Sequence, residues 1–221
     1  MGTAQRTLVI DSATEACSVA LFDGAALIAG DWQKLGRGHA ERLVPMIAAL
    51  PGNGRADRIV VALGPGSFTG VRVGLAAARA LGFAWGAPVL GYSTLALVAA
   101  MARDLAGAEA AAGIDVAMTG GHGEWFVESH GPDGAPGLPL SSLPPEEAAS
   151  TCRNLLVAGS QARALVERRG FGTALDLLPD ARCFALLPAT ALLTDTSPLY
   201  GRAPDARLPA TAVRTATQPA Q

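Results

Sequence analysis

The chain has 221 residues, half of them hydrophobic, with a net charge of −2 and three cysteines. The apolar share supports a sizeable core, in one large domain or in two small lobes. The near-neutral charge without a basic block argues against a chain that binds nucleic acid by itself, and the scattered cysteines form neither a disulfide framework nor a CxxC metal site.

The cysteines and the first residues point to the cytoplasm. Cys17, Cys152 and Cys183 are typical of thiols in a reducing compartment. We expect no signal peptide, because Asp11 interrupts the apolar run that follows Arg6.

The first third of the chain predicts an antiparallel meander and then a helix. Strands are expected over residues 7–10, 17–22 and 27–32, with Asp23-Gly24 as the hairpin turn between the last two. A helix is expected over residues 39–50, where apolar residues recur every three or four positions. Pro45 lies inside this helix and is expected to kink it.

A glycine-rich turn then joins a strand to a long helix. The strand over residues 59–63 leads into GPGSFTG and a helix over 71–85, with Ser67 or Thr69 as its cap. Residues 80–102 carry no charge and are long enough to cross a membrane. Their glycines and proline instead predict a helix end, a short strand at 89–90 and a helix from Ser93 to about residue 105.

The second half repeats the first in outline, which predicts a duplicated lobe. The run GIDVA from Gly113 echoes VIDSA from Val9, and a strand over 125–129 leads into a turn at 132–134. A proline-rich loop is expected over 135–145, a strand over 155–158, and a helix to residue 169 capped by Ser160. We divide the chain into residues 1–105, residues 106–208 with a C-terminal return segment, and a flexible tail over 209–221.

The glycine-rich turn fails both phosphate-binding templates. A P-loop needs a lysine after its last glycine, whereas Val71 follows Gly70. A dinucleotide fingerprint needs a third glycine where Thr69 stands. The free amides of the helix N-terminus still permit an anion, and the alternative is that the glycines only allow the turn.

The long helix has almost no polar face. Small residues recur every four positions and form a bare ridge that lets another backbone approach closely: Gly70, Gly74, Ala78, Gly82 and Gly86. Only Arg72 and Arg79 are charged, on one narrow stripe. Either another part of this chain or a foreign subunit fills the ridge, and the pattern does not choose between them.

Candidate catalytic groups are few. Asp11 and Asp115, its expected counterpart in the second half, match the paired aspartates of actin-like phosphotransferases, although an aspartate after a strand is commonly a turn residue. The histidines at 39, 122 and 130 lack metal-ligand spacing, and His39 is expected at the surface or as a cap. Ser67 has no GxSxG context, so a hydrolase nucleophile is not expected.

Several motifs together closely resemble the TsaB (YeaZ) family. They are IDSATEACSVAL from Ile10, HAERLVPMI from His39, GPGSFTGVRVGLAAARALG from Gly64 and GYSTL from Gly91. SPLYGRAPDAR from Ser197 resembles the closing motif of the family. The resemblance is strong over about residues 7–100 and patchy beyond.

The resemblance implies an α/β fold of the actin-like, RNase H-like (ASKHA) class, with two lobes and mixed sheets. It implies a non-catalytic subunit that binds and activates a TsaD-type transferase, with a TsaE-type ATPase, in threonylcarbamoyl modification of tRNA adenosine 37. No cofactor or metal is then expected on this chain, ATP and metal belong to the partner subunits, and tRNA is met only through the complex. The alternative is an ATP-dependent phosphotransferase or ATPase that uses Asp11 and Asp115.

The resemblance also places the partner interface on the helices that begin near His39 and Val71. The residues carried over are Arg42, Leu43, Met46, Val71, Arg72, Gly74, Leu75, Ala78 and Arg79. We expect Gly74→Arg to leave the fold intact and to abolish partner binding. Alone, the chain is expected to form a weak homodimer through the same surface.

Three departures from the family pattern concern mainly the second lobe. The arginine of a DAR segment is missing after Asp115, and Gly201 replaces a large apolar residue in the closing motif. The segment over residues 50–58 is short.

Overall fold

Two five-stranded mixed sheets, one in each half of the chain, form the framework of the protein. In the computed structural model, residues 5–132 and 137–201 are described. The sheets have strand orders β3-β2-β1-β4-β5 and β8-β7-β6-β9-β10. Because the second order repeats the first with each number raised by five, the predicted duplicated two-lobe α/β fold is confirmed.

The N-terminal lobe is built on a meander followed by two parallel strands. Its strands are β1 (Arg6–Asp11), β2 (Ala16–Asp23), β3 (Ala26–Lys34), β4 (Arg58–Ala62) and β5 (Val89–Tyr92). Helix α1 (His39–Ala49) precedes β4, and α2 (Phe68–Trp85) connects β4 to β5. β1 lies between β2 and β4 and is buried on both faces, as its apolar, partly β-branched sequence requires.

The second lobe repeats this plan with shorter elements. Its strands are β6 (Ile114–Thr119), β7 (Trp125–His130), β8 (Ser141–Leu143), β9 (Leu156–Ala158) and β10 (Thr173–Leu175). Helices α4 (Pro145–Thr151) and α5 (Ala162–Arg169) occupy the places of α1 and α2. Helix α3 (Thr94–Ala106) joins the lobes and packs with Leu97 in one core and Val98 in the other.

A return segment brings the chain back to the first lobe after β10. Phe184 lies in the N-terminal core, with its ring centroid 5.6 Å from that of Phe22. The indole of Trp32 donates to the carbonyl of Pro179 at 3.1 Å. The segment from residue 177 therefore packs on the first lobe, although its sequence follows the second.

Helix boundaries differ from the predictions where capping differs. α2 begins at Phe68, three residues before the predicted start, because the Ser67 side chain accepts from the amide of Gly70 at 3.3 Å. Ser160, by contrast, does not cap α5, which begins at Ala162. Its hydroxyl instead accepts from the Thr119 amide at 3.0 Å, so that prediction was wrong.

Three short elements were missed in the second lobe. β8 and β10 have three residues each; β8 lies within the predicted proline-rich loop, and α4 begins at Pro145, the last residue of that loop. A proline at the first helical position is favourable because no hydrogen bond from its nitrogen is needed there. Part of the turn at 132–134 and the tail over 209–221 lie outside the described residues.

Candidate docking helices and the cleft between the lobes

The bare ridge of α2 faces the protein's own sheet. A Cβ atom on Gly70 would lie 2.1 Å from the carbonyl oxygen of Ser12, and one on Gly82 would lie 2.6 Å from the Val89 side chain. A Cβ atom on Gly74 would meet the Ser12 hydroxyl at 2.6 Å. The small residues therefore allow α2 to lie close to β1, β4 and β5, and the prediction that Gly74→Arg leaves the fold intact was wrong.

Six of the nine residues carried over as partner contacts are buried in the N-terminal lobe. They are Leu43, Met46, Val71, Gly74, Leu75 and Ala78. Their side chains pack under α1 and α2 rather than outward, so they stabilise the helix pair and do not form its surface. That α1 and α2 bind a partner stays a prediction.

The three carried-over arginines are exposed but have partners within the chain. Arg42 donates to the side-chain oxygen of Gln33 on β3, at 2.8 and 3.2 Å. Arg72 donates to the Tyr200 hydroxyl at 3.1 Å, and Arg79 donates to the carbonyl oxygen of Thr196 at 2.9 Å. Two of the three thus hold a segment that follows them by more than a hundred residues.

The outer faces of the two helices carry large apolar side chains that the motif did not indicate. Phe83 on α2 is 93% exposed, and Val44 on α1 is 60% exposed. Ala76 and Ala80 are also exposed and lie on the same side of α2 as Phe83, seven and three residues before it. The sequence signal was present, because Phe83 lies four residues after Arg79 on the charged stripe and away from the glycine ridge.

A C-terminal strap, residues 193–201, crosses this part of the lobe. Leu193 pairs with Gly91 on β5, each amide donating to the other's carbonyl at 2.8 Å. The amide of Leu199 donates to the carbonyl of Leu63 at 2.8 Å. The Tyr200 ring stacks on Phe68, and the guanidinium of Arg72 lies 3.4 Å from the Phe68 ring centroid.

A cleft of about 690 Å³ separates the lobes at the N-terminal end of α2. Its walls come from the turns after β1, β4 and β6 and from the end of the strap, with mainly apolar side chains and several hydroxyls. The lining includes residues 13–15, 65–68, 118–122 and 199–201, together with Val71, Arg72, Phe126, Ser142, Ser160 and Leu178. The charged groups among these are Glu15 and Arg72, and neither Asp11 nor Asp115 takes part.

Asp11 is buried at the end of β1 and is held by its own lobe. One carboxylate oxygen accepts from the Ala13 amide at 3.0 Å, and the other accepts from the Tyr92 hydroxyl at 2.9 Å. Burial raises the pKa of Asp11 to about 6, against the opposing effect of these two hydrogen bonds. The same burial raises the pKa of Tyr92 well above its ordinary value.

Asp115 is not the counterpart of Asp11. Asp11 is the last residue of β1, whereas Asp115 is the second residue of β6, whose last residue is Thr119. The two aspartates therefore lie at opposite ends of equivalent strands. The five-residue echo in the sequence was aligned out of register, and the paired-aspartate site of the phosphotransferase alternative does not form.

The carboxylate of Asp115 is fully engaged in the second lobe. It accepts from the Ser129 hydroxyl at 2.5 Å, from the backbone and side chain of Asn154 at 2.9 and 2.8 Å, and from Arg169 at 3.2 Å. The side chains of Asp115 and Arg169 are both buried. This arrangement joins β6, β7 and the end of α5, and it leaves no carboxylate oxygen facing the cleft.

His39, Cys17 and Cys152, which could take part in chemistry, are buried. His39 is buried, which corrects its expected place at the surface, and its Nε2 lies 3.3 Å from the carbonyl oxygen of Ala16. Burial raises the pKa of Cys17 and Cys152 to about 12, so neither is a ready thiolate. Within residues 5–132 and 137–201, no cluster of three histidine, cysteine or acidic residues could hold a metal ion.

The uncharged stretch over residues 80–102 is divided as predicted. α2 ends at Trp85, β5 covers Val89–Tyr92 and α3 begins at Thr94. Among the helices in the described part of the chain, none combines the length and the apolar character that crossing a membrane requires.

Comparisons of the sequence with known proteins match half of the chain or less. The family model of TsaD, the tRNA N6-adenosine threonylcarbamoyltransferase, matches residues 33–131, which include α1, α2 and α3. The tRNA threonylcarbamoyladenosine biosynthesis protein TsaB of Escherichia coli is 40% identical over 99 residues, or 42% of each chain. TsaB of Haemophilus influenzae is 39% identical over 118 residues, or 50% of this chain and 49% of that protein. The matches thus span less than half the length of these curated relatives.

Solved structures extend the similarity over both lobes. YeaZ from Pseudomonas aeruginosa superposes with a TM-score of 0.73 and 29% identity, covering 89% of this chain and 99% of that chain. A protein described as similar to the peptidase YeaZ, from the same organism, has a TM-score of 0.67 and 30% identity, covering 82% of this chain and 89% of that chain.

Proposed function

Because the chain belongs to the TsaB (YeaZ) family, we propose that it acts in threonylcarbamoyl modification of tRNA adenosine 37 as a non-catalytic subunit. In this role it binds and activates a TsaD-type transferase in the cytoplasm, together with a TsaE-type ATPase. ATP and metal are bound by those subunits, and tRNA is met through the assembled complex. The names of the curated relatives support the pathway.

The state of the two aspartates favours a supporting role over chemistry on this chain. Phosphoryl transfer needs carboxylates that reach a metal ion beside the phosphates. Here Asp11 is bound by Tyr92 and Ala13, and Asp115 is paired with Arg169 at the other end of the equivalent strand. We therefore do not retain the phosphotransferase alternative.

The outer face of α1 and α2 is the observation that carries the proposal. Phe83 leaves nearly all of its side chain in water, and Val44 leaves most of its own. Exposed aromatic and aliphatic residues beside exposed alanines are typical of a surface that a partner covers. The match of the TsaD family model to residues 33–131 indicates that a TsaD-type partner carries a comparable helix pair.

A pair of such helices on each partner permits a two-fold or pseudo-two-fold interface. In this arrangement the same surface serves a homodimer when the chain is alone and a heterodimer when the transferase is present. The two assemblies then exclude each other, and the homodimer is the weaker one. Sedimentation of the chain with and without the transferase tests this, since a dimer that persists in the mixture contradicts a shared surface.

The direct test is the affinity of the full chain for the TsaD-type subunit of the same cell. We expect Phe83→Asp to weaken binding at least thirtyfold, about 2 kcal/mol, because it places a charge at the centre of an apolar contact. Leu155→Asp is the matched control, since Leu155 is 63% exposed but lies in the second lobe. Equal affinities for the Phe83 variant and the unaltered chain would rule out this docking surface.

A further inference from the structure

The C-terminal strap runs along α2 in the opposite direction. Thr196 lies at Arg79, near the end of the helix, and Tyr200 lies at Arg72, near its start. The arginines are seven residues apart, or about 10 Å along a helix, and an extended chain covers a similar distance between residues 196 and 200. The lengths match, so one stripe of α2 can hold the strap at two points.

The strap is fixed by backbone bonds as well as by the arginines. Leu193 is paired with Gly91, and the amide of Leu199 donates to the carbonyl of Leu63. Arg79 binds both the carbonyl oxygen and the hydroxyl of Thr196, at 2.9 and 3.3 Å. The Arg79 side chain is exposed, and its hydrogen bonds to Thr196 hold it against the strap.

The strap borders the exposed stretch of α2 on one side. Ala76 and Ala80 form the floor of this stretch, and half-buried residues such as Val73 and Ala77 line the flank opposite the strap. α1 also packs against α2. The exposed stretch of α2 is therefore a row of small residues with the strap along one flank, which suits the close approach of a helix from a partner.

We propose that the strap is one wall of the docking surface for the TsaD-type partner, and that Arg79 and Arg72 are positioning residues that hold this wall in place. The inference rests on the proposed function. The occupant is a helix of the partner's own α1–α2 pair, since the TsaD family model matches this part of the chain. Loss of either arginine then weakens binding by releasing the strap, without removing a contact to the partner.

The test combines partner affinity with amide hydrogen exchange in the full chain. In Arg79→Met we expect the amides of Leu193 and Leu199 to exchange faster and the affinity for the TsaD-type subunit to fall about tenfold. Tyr200→Phe keeps the ring on Phe68 but removes the acceptor for Arg72, and it should produce a smaller change of both kinds. Arg103→Met is the control, because Arg103 on α3 bonds to Gly131 in the second lobe.

The combination of the two measurements shows whether the strap forms part of the docking surface. Faster exchange with unchanged affinity in Arg79→Met would show that the strap lies outside the docking surface. Weaker affinity with unchanged exchange would show that Arg79 contacts the partner directly, and no change in either would show that it does not hold the strap. Phe83→Asp, measured in parallel, separates these outcomes from failure of the proposed function, since that variant reports on the docking surface alone.

Discussion

Replacing Gly70 by alanine tests which way the small-residue ridge of α2 faces. The new methyl group would lie 2.1 Å from the carbonyl oxygen of Ser12, a backbone atom that cannot rotate away. To reach an ordinary contact, α2 has to move about 1 Å from the turn after β1, against close packing. This movement also strains the bond from the Ser12 hydroxyl to the Gly70 carbonyl, now 2.9 Å long.

A ridge that faces the sheet and a ridge that faces solvent predict opposite changes in the free energy of unfolding for Gly70→Ala. Overpacking of this kind costs about 1–3 kcal/mol, and the higher helix propensity of alanine returns at most about 1 kcal/mol. Because the clash is with a backbone atom, the cost lies at the upper end of this range, and we expect Gly70→Ala to lower the free energy of unfolding by about 2 kcal/mol. If the ridge faced solvent, the new methyl group would meet no other atoms, and the higher helix propensity of alanine would stabilise the protein by up to about 1 kcal/mol.

Urea unfolding followed by circular dichroism measures the difference. Ala76→Gly is the control, because Ala76 is exposed on the same helix and reports the propensity effect without a packing change. We expect it to cost about 1 kcal/mol. If the midpoint for Gly70→Ala rises by about as much as that for Ala76→Gly falls, the inward-facing ridge is refuted.

Two further predictions concern the buried aspartates. Folding raises the pKa of Asp11 from 3.8 to about 6, so ionisation of its carboxyl group lowers the stability of the natural chain as pH rises from about 4 to 6. Across that range, the free energy of unfolding of Asp11→Asn should rise by up to about 3 kcal/mol relative to that of the natural chain, as measured by urea titrations at each pH. A difference that is constant with pH contradicts this. Arg169→Met leaves the Asp115 carboxylate buried without its cation and should lower the free energy of unfolding by about 3–5 kcal/mol. Adding Asp115→Asn to that variant should restore part of the loss. Thermal melts of the single and double variants measure both effects, and melting curves that coincide with that of the natural chain would refute the role of the pair.

Local signals fixed the elements of the N-terminal lobe. The hairpin turn at Asp23-Gly24, the helix from His39 and the cap at Ser67 follow from turn chemistry, apolar periodicity and capping, which depend on neighbouring residues. The second lobe was harder to predict because β8 and β10 have only three residues each. Three residues are too few to show the alternation of apolar and polar residues, and such strands form only because they hydrogen-bond to a neighbouring strand.

The candidate site shows the limit of reasoning from spacing. The four-residue repeat of glycine and alanine correctly indicated a close approach to α2, but it could not say that β1, β4 and β5 make that approach. The stripe of Arg72 and Arg79 was visible, but its partners are 128 and 117 residues away along the chain. Asp11 and Asp115 looked equivalent until strand register separated them.

The sequence by itself determined the order of the main elements, the duplication of the lobe and the resemblance to the TsaB family, because these are written in short runs of neighbouring residues. Only the tertiary structure decided which face of α2 is buried, what holds the two aspartates and where the C-terminal strap lies. Each of those depends on contacts between residues far apart in the chain, and the free energy of such contacts is set by distance and burial in the folded protein rather than by position in sequence.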